Sequence, residues 1–504
     1  MRGAGSGRSF WTRRRFFRGL GALGLLVSGC GPRGRKEEAA LGGDELSEAS
    51  ANVEGSPANL FLKEMRKVFS GRRLRVLTED TPPSVASHKL VGEEFSRLTG
   101  IEVEWLLLPL EQVYARTQVD TAQQSGHHDV FYLDQSWLGQ FSPHMEDLNH
   151  WRSLLEFGYP YWEWQDFMRP LIRHTASYLG NNIAIPYDIT LFIGMYRRDV
   201  FEELGLHPPT NLVEYLHTAQ VIDKALAPAV RGTTGQLQVG HYALLCHFSA
   251  WLWGHGGSFF HADGTPSLDE PEAHAALEYL MELRRCMPGQ VIGWDWHGES
   301  KSFARGEAGF YSSWAEFFPM YDDPALSEIV GLAEPMAMPG ALHLKAPSEC
   351  GFGETPGVSH QGGSGIGISR YSREKEASWI FLQWLTSSDV AVRACLLGGG
   401  ASATRHSVFS DPRIRKRNSI VGPGTTRHFP VMRDAILNRM GTEPHHPDWP
   451  SLALYDLPVE LGKLVTGQQG IRDTARALNR VAGKKLHGRE SAGPSNPTGN
   501  GNDT

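Results

Sequence analysis

Residues 73–137 read RLRVLTEDTPPSVASHKLVGEEFSRLTGIEVEWLLLPLEQVYARTQVDTAQQSGHHDVFYLDQSW. The stretch alternates between the period of two of a strand and the period of about 3.6 of a helix. Arg73 to Thr78 alternates, with Leu74 and Val76 on one face. Val91, Phe95 and Leu98 then recur at helical spacing, and Gly100 is placed to stop that helix. Ile101, Val103, Trp105 and Leu107 alternate again, Glu111 to Gln124 reads as a second helix, and Asp129 to Leu133 is a short apolar run ending at Asp134. Strand–helix–strand–helix–strand implies parallel pairing, because each connection must cross over the sheet. In such sheets ligand groups gather at the carboxyl edge of the strands.

The same reading extends outward. Ile183–Pro186 and Leu191–Tyr196 read as strands joined through Tyr187-Asp188, and Val239–Leu245 as another. Asp269 is expected to cap a helix that has Pro271 in its first turn, Glu272 three residues after the cap, and Ala273, Ala276, Leu277, Leu280 and Leu283 on one face. Ala377, Ile380, Phe381, Trp384 and Leu385 form a strong amphipathic pattern, and Ile471, Ala475, Leu478 and Val481 a last one. The fold class is α/β, with more than one sheet.

The chain has 504 residues, 49 Lys plus Arg against 56 Asp plus Glu, and a formal charge of −7. Arg2, Arg8, Arg13, Arg14, Arg15 and Arg18 all precede residue 30 with no acid among them, so the remainder is more acidic still. An acidic body repels a phosphate backbone, which argues against nucleic acid as a partner. No stretch of about 20 apolar residues is present to span a membrane as a helix. Arg13-Arg14 with Phe16, Phe17 and Arg18 resembles a twin-arginine export signal, and Val27-Ser28-Gly29-Cys30 resembles a lipobox whose Cys30 receives the lipid. Residues 1–29 are therefore expected to be a signal peptide, 30–72 a lipid-anchored flexible tether, and 487–504 a disordered tail. Cys246, Cys286, Cys350 and Cys395 permit two disulfides, or four buried thiols.

Catalytic and cofactor signatures are missing: no Walker A loop, no H-E-x-x-H, no G-x-S-x-G. Gly362-Gly363-Ser364-Gly365-Ile366-Gly367 lacks dinucleotide-binding spacing, and the pairs His127–His128 and His445–His446 read as solvated loop residues, so no cofactor and no metal are expected. Trp137, Trp251, Trp253, Trp294, Trp296 and Trp314 stand near glycines or charged residues and outside clean helical stripes. Indole faces suit the C–H faces of sugar rings, and carboxylates accept hydroxyl hydrogen bonds.

Several segments in order resemble the extracellular solute-binding proteins of sugar ABC importers, the maltodextrin-binding type. They are Glu94-Phe95 through Val103, His128 to Trp137, Ile185-Pro186-Tyr187-Asp188, Met195 to Phe201 with Gly205-Leu206, Gly256-Gly257, Phe303 to Ala308 with Trp314, and Gly362-Gly363 before Gly367-Ile368-Ser369. The chain departs from those relatives in a shorter stretch between Gly306 and Trp314, and in carrying Leu133, Ser136 and Trp137 after the third strand. The resemblance implies a two-lobed clamp with several hinge crossovers. Lobe one would comprise 73–187 and 364–427, and lobe two 188–363 and 428–486. Asp134 and Trp137 would reach into the cleft from lobe one with Glu79 and Asp80. Tyr187 and Asp188 would lie beside the hinge, and Trp251, Trp314 and Glu316 would face in from lobe two. It further implies a non-enzymatic monomer that captures a carbohydrate and passes it to ABC permease subunits. Two rivals are a lipid-anchored polysaccharide-degrading enzyme using Asp134 and Asp188 as acid and base, and a clamp that binds a non-sugar solute or serves as a sensor.

Overall fold

The computed structural model describes residues 55–487. It opens on helix α1 (Pro57–Phe69), started by the Ser56 hydroxyl, which accepts from the Asn59 amide at 3.2 Å. Leu62, Met65 and Phe69 form its buried stripe. This corrects the expected tether over residues 30–72: three large apolar side chains at helical spacing fix residues 57–69 against the body. The expected signal peptide, Cys30, the earlier part of the expected tether and residues 488–504 lie outside the described residues.

Strand β1 (Arg73–Glu79) leads to α2 (Pro82–Leu90), capped by Thr81, whose side chain accepts from the Ser84 amide. That helix widens over residues 91–96, buries Phe95, and ends at Gly100, where φ of 70° requires a residue at ease in the left-handed region. Strand β2 (Glu102–Leu108), α3 (Leu110–Gln123) and β3 (Val130–Asp134) follow. Then come β4 (Ile185–Asp188), β5 (Phe192–Arg197), β6 (Arg231–Thr233), α4 (Tyr242–Gly254), α5 (Pro271–Arg285), α6 (Trp296–Ala304), β7 (Ala308–Trp314) and β8 (Ala333–Met336). The remaining elements that matter here are β9 (Ser364–Ile368), α7 (Lys375–Leu385), α8 (Leu457–Val465) and α9 (Ile471–His487).

Two sheets organise these elements. The first has the order β2-β1-β3-β9-β4, with β1 parallel to β2 and β3, and β9 antiparallel to both β3 and β4. The second has the order β8-β5-β7-β6, antiparallel except for β6 beside β7. The chain leaves the first sheet after Asp188 to begin β5, and returns to it at Ser364. The two passages lie side by side: Leu191 bridges Gln361, and the Gly362 amide donates to the Thr190 carbonyl at 3.1 Å. Helix α7 packs on β9, while α8 and α9 pack against α4 and α5 respectively.

Three local readings are corrected. Val239–Leu245 is not a strand: Tyr242–Gly254 is a helix buried on every side, started by the His241 ring, which accepts from the Ala243 amide. A short apolar run carries no periodicity to separate the two, and only the length of the buried segment decides. Asp269 does not cap α5. Glu270 occupies that position without a side-chain bond, and Asp269 lies 3.0 Å from the ring of His274. His128 and His445 are buried, not solvated, and His128 holds Asp120 at 2.9 Å. Cys246, Cys286, Cys350 and Cys395 are buried free thiols. Among the described residues no helix is long and apolar enough to cross a membrane.

Candidate functional site

Three strands of the first sheet end in acids at the same edge. Glu79 closes β1, Asp134 closes β3 and Asp188 closes β4. The register sets the last two on either side of one residue, since Ser364 at the start of β9 is opposite Asp134 on one flank and Asp188 on the other. Asp134 Oδ1 accepts from the Ser136 amide at 2.8 Å and its hydroxyl at 2.5 Å. Asp188 Oδ2 accepts from the Thr81 hydroxyl at 2.7 Å. The Tyr132 hydroxyl stands between Glu79 Oε2 (3.1 Å) and Asp188 Oδ2 (3.5 Å), with one proton to give.

The second sheet supplies the opposite wall. Strand β7 ends in Trp314, and Glu316 follows in the next turn. The indole N–H donates to Gln236 Oε1 at 2.9 Å, and the ring meets Phe192 edge-on at 4.4 Å. Its outer edge lies against Gly362, where a Cβ would come within 2.5 Å of the ring carbons. Glycine at 362 is therefore what lets the hinge passage run flush against the indole.

Between the walls lies a narrow cavity of about 30 Å³ within about 350 Å³ of space. Glu79, Thr81, Leu110, Tyr132 and Asp134 line it from the first sheet's side, Tyr242, Trp296, Trp314 and Glu316 from the second, and Thr190 and Gly362 from the passages between them. Among the described residues no lysine or arginine lines it. Burial raises every carboxyl here, because a charge removed from water loses solvation. Asp134 and Asp188 are each pushed up to about 7. Glu79 and Glu316 go well above the ordinary range, by burial first and then by repulsion from Asp188 and the other acids.

Of the residues singled out in the sequence, Glu79, Asp134, Trp296, Trp314 and Glu316 line the cavity. Asp188 is buried directly behind it, bonded to Thr81 and close to Tyr132. Four others are elsewhere. Asp80 is exposed past the end of β1. Tyr187 alternates to the other face of β4, where its hydroxyl donates to Ser84 Oγ at 3.4 Å. Trp137 is packed among Tyr114 and Phe141, and Trp251 among Tyr215 and Tyr279, both fully buried. Thr81, Tyr132, Thr190 and Tyr242 were not anticipated. Tyr132 had a readable signal, since it lies two residues before Asp134 and so shares its face of the strand.

A second polar cluster lies in the interior: ligand atoms of Cys246, His360 and Glu443 fall within 4.8 Å of one another. Both Glu443 oxygens are engaged, one by His360 Nε2 at 2.9 Å and one by Trp449 Nε1 at 2.7 Å.

The comparisons agree with this architecture. A family model described as bacterial extracellular solute-binding protein matches residues 80–392. The chain is 24% identical over 357 residues to a probable amino-acid ABC transporter periplasmic-binding protein of Sinorhizobium fredii, covering 70% of this chain and 77% of that one. It is 23% identical over 368 residues to the erythritol/L-threitol-binding protein of Mycolicibacterium smegmatis, covering 68% and 72%. Among solved structures, a solute-binding protein of an ABC transporter from Agrobacterium radiobacter, in complex with ribitol, superposes with a TM-score of 0.72 at 23% identity, covering 82% of this chain and 99% of that one. Maltose-bound MalE3 of T. maritima does so at 0.68 and 22% identity, covering 82% and 100%. The fold is thus the two-lobed one of periplasmic binding proteins, each sheet the core of a lobe. With the family model spanning more than half of its length, the chain belongs to the bacterial extracellular solute-binding proteins.

Proposed function

We propose that this protein captures a small polyhydroxylated solute, a sugar or a polyol, and delivers it to the permease of an ABC importer. The observation that carries the proposal is the pairing of walls: strand-end carboxylates on one sheet face an indole and a further carboxylate on the other, across one cavity. Carboxylates accept hydrogen bonds from hydroxyls, and indole faces cover C–H surfaces. Relatives named for erythritol/L-threitol and for ribitol support the class. The relative named for amino acids does not change it, because an α-carboxylate entering this cavity meets acids and no basic side chain.

No covalent chemistry is required. A solute that touches both walls favours the closed arrangement over the open one by its differential contacts, and the adjoining passages at 188–192 and 361–364 are the place to bend. The closed shape is what the permease recognises, and a separate ATPase supplies the energy. Lipid on Cys30 would hold the monomeric protein at the cell envelope.

The test is a thermal-shift and small-angle scattering series over tetritols, pentitols, hexitols, monosaccharides and disaccharides. At least one is expected to raise Tm by several degrees and reduce the radius of gyration. If none does either, the reading fails. Turnover of chromogenic glycosides, lost in Asp134→Asn, would replace it with the enzyme.

A further inference from the structure

We infer that the solute of this cleft carries a positive charge: a protonated amine on a small polyhydroxylated frame. The inference deepens the proposed function and takes the hydroxylated frame from it; the charge rests on the cavity alone.

One wall, and the layer directly behind the other, hold buried carboxylate oxygens without a partner. Asp188 Oδ1 and Glu316 Oε2 accept no hydrogen bond, in side chains whose residues are 0% and 7% exposed. Leaving such an atom unmade is costly, so proteins rarely tolerate it without a use. Some buried acids inside the lobes are matched by a cation, as Glu94 is by Arg393 at 2.7 Å and Asp322 by Arg427 at 2.9 Å, whereas Glu299 keeps one oxygen without a partner as the cleft acids do. Around the cavity no such cation is built in. The titratable groups that bear on its acids are Tyr132, Tyr187, Tyr242, Cys246, Glu111 and Glu443. Two histidines nearby are committed, His241 to Glu111 at 2.9 Å and His360 to Glu443 at 2.9 Å, and burial holds the His297 ring below its ordinary range.

The missing cation is organic. Trp314 and Trp296 line the same cavity, and an indole face attracts an ammonium group. A bare metal ion would need three or more donor atoms converging on it. Among the described residues the group that converges so closely is Cys246, His360 and Glu443, not the cavity acids. The acids hold protons in the empty cleft, and an ammonium takes their place. Binding therefore releases protons, and affinity rises with pH through about 7.

The experiment is calorimetry of the full chain with matched pairs: ribitol against 1-amino-1-deoxyribitol, and D-glucose against D-glucosamine, at pH 6 and pH 8 in phosphate and in Tris. The amine is expected to bind at least tenfold more tightly than its hydroxyl partner at pH 8. The advantage shrinks at pH 6, and the enthalpy differs between buffers as protons are released. Glu316→Gln, which keeps the shape and removes the charge, is expected to cut the amine-over-hydroxyl affinity ratio to below about threefold, and a ratio unchanged from the parent protein overturns the role given to this carboxylate. Binding of the hydroxyl member equally or more tightly at both pH values, or binding of neither member of any pair, overturns the inference; the first outcome leaves the proposed function standing. Putrescine bound with no polyol or sugar bound supports the charge and overturns the hydroxylated frame. Calcium or magnesium alone raising Tm and blocking the amine would assign the acids to a metal and overturn it too.

Discussion

Glu94 and Glu316 are both buried glutamates, one inside a lobe and one on the wall of the cleft, and they are treated in opposite ways. Glu94 accepts from Arg393 at 2.7 Å and from the Trp384 indole at 2.8 Å. Glu316 faces Asp188 and Glu79, has an oxygen with no partner, and is pushed well above the usual carboxyl range by burial. In the Glu94 pair the charge is neutralised within the fold, and removing Arg393 takes that cation from the carboxylate while leaving the Trp384 indole bonded to it. In the cleft the neutralising group is left to be supplied, by a proton or by a guest. On the proposed function, the difference separates a residue that serves stability from one that serves binding.

The largest effect should come from breaking the paired side. Arg393→Ala leaves Glu94 buried and uncompensated and should cost about 3–5 kcal/mol. It should be measurable by urea denaturation, with solute affinity unchanged in the folded fraction; a loss of affinity at unchanged stability would erase the distinction. Gly362→Ala should come next, because its methyl group drives into the Trp314 ring. Overpacking of this kind costs about 1–3 kcal/mol, and it should weaken solute binding and shift indole fluorescence.

A smaller effect tests the unpaired side through pH. A carboxyl whose folded-state pKa is raised confers stability at low pH that is lost as pH rises through that pKa. The buried rings of His174, His247, His428 and His445 are held at about 3 to 4 and act oppositely, but only below about 6.5. Between pH 6.5 and 8 the raised carboxyls therefore dominate, Asp134 and Asp188 at about 7 together with Glu354 at about 8, and Tm of the protein without solute should fall by about 2–4 °C. Asp188→Asn should flatten that slope in a differential-scanning measurement, and an unchanged slope would remove Asp188 from the account. The smallest effect belongs to Asp80→Ala. Exposed and outside the cavity, that change should move stability by less than about 0.5 kcal/mol and leave affinity alone.

Several parts of the molecule were readable from residues alone. The alternation from Arg73 to Asp134 gave parallel strands with their acids at the carboxyl edge, and the stripe Ala377–Leu385 gave a helix buried as expected. Glu79, Asp134, Trp314 and Glu316 were legible because each sits at or just past a strand end. Trp137 and Trp251 misled, because a tryptophan beside glycines or acids looks the same whether it faces a cleft or fills a core. Tyr242 was hidden inside a run read as a strand, and Thr81 and Thr190 carry no pattern that marks a ligand.

By itself the sequence determined that β1 to β5 form and about where they end, because those follow from local periodicity and turn chemistry. It determined the acidity of the body too, a matter of counting. Tertiary structure alone decided that Asp134 and Asp188, far apart in the chain, flank one serine, and that Trp314 lies against Gly362. It alone decided which buried acids meet an arginine and which meet only one another. Pairing across a sheet and between lobes joins residues separated by tens to hundreds of positions, and no local pattern encodes whom a side chain meets there.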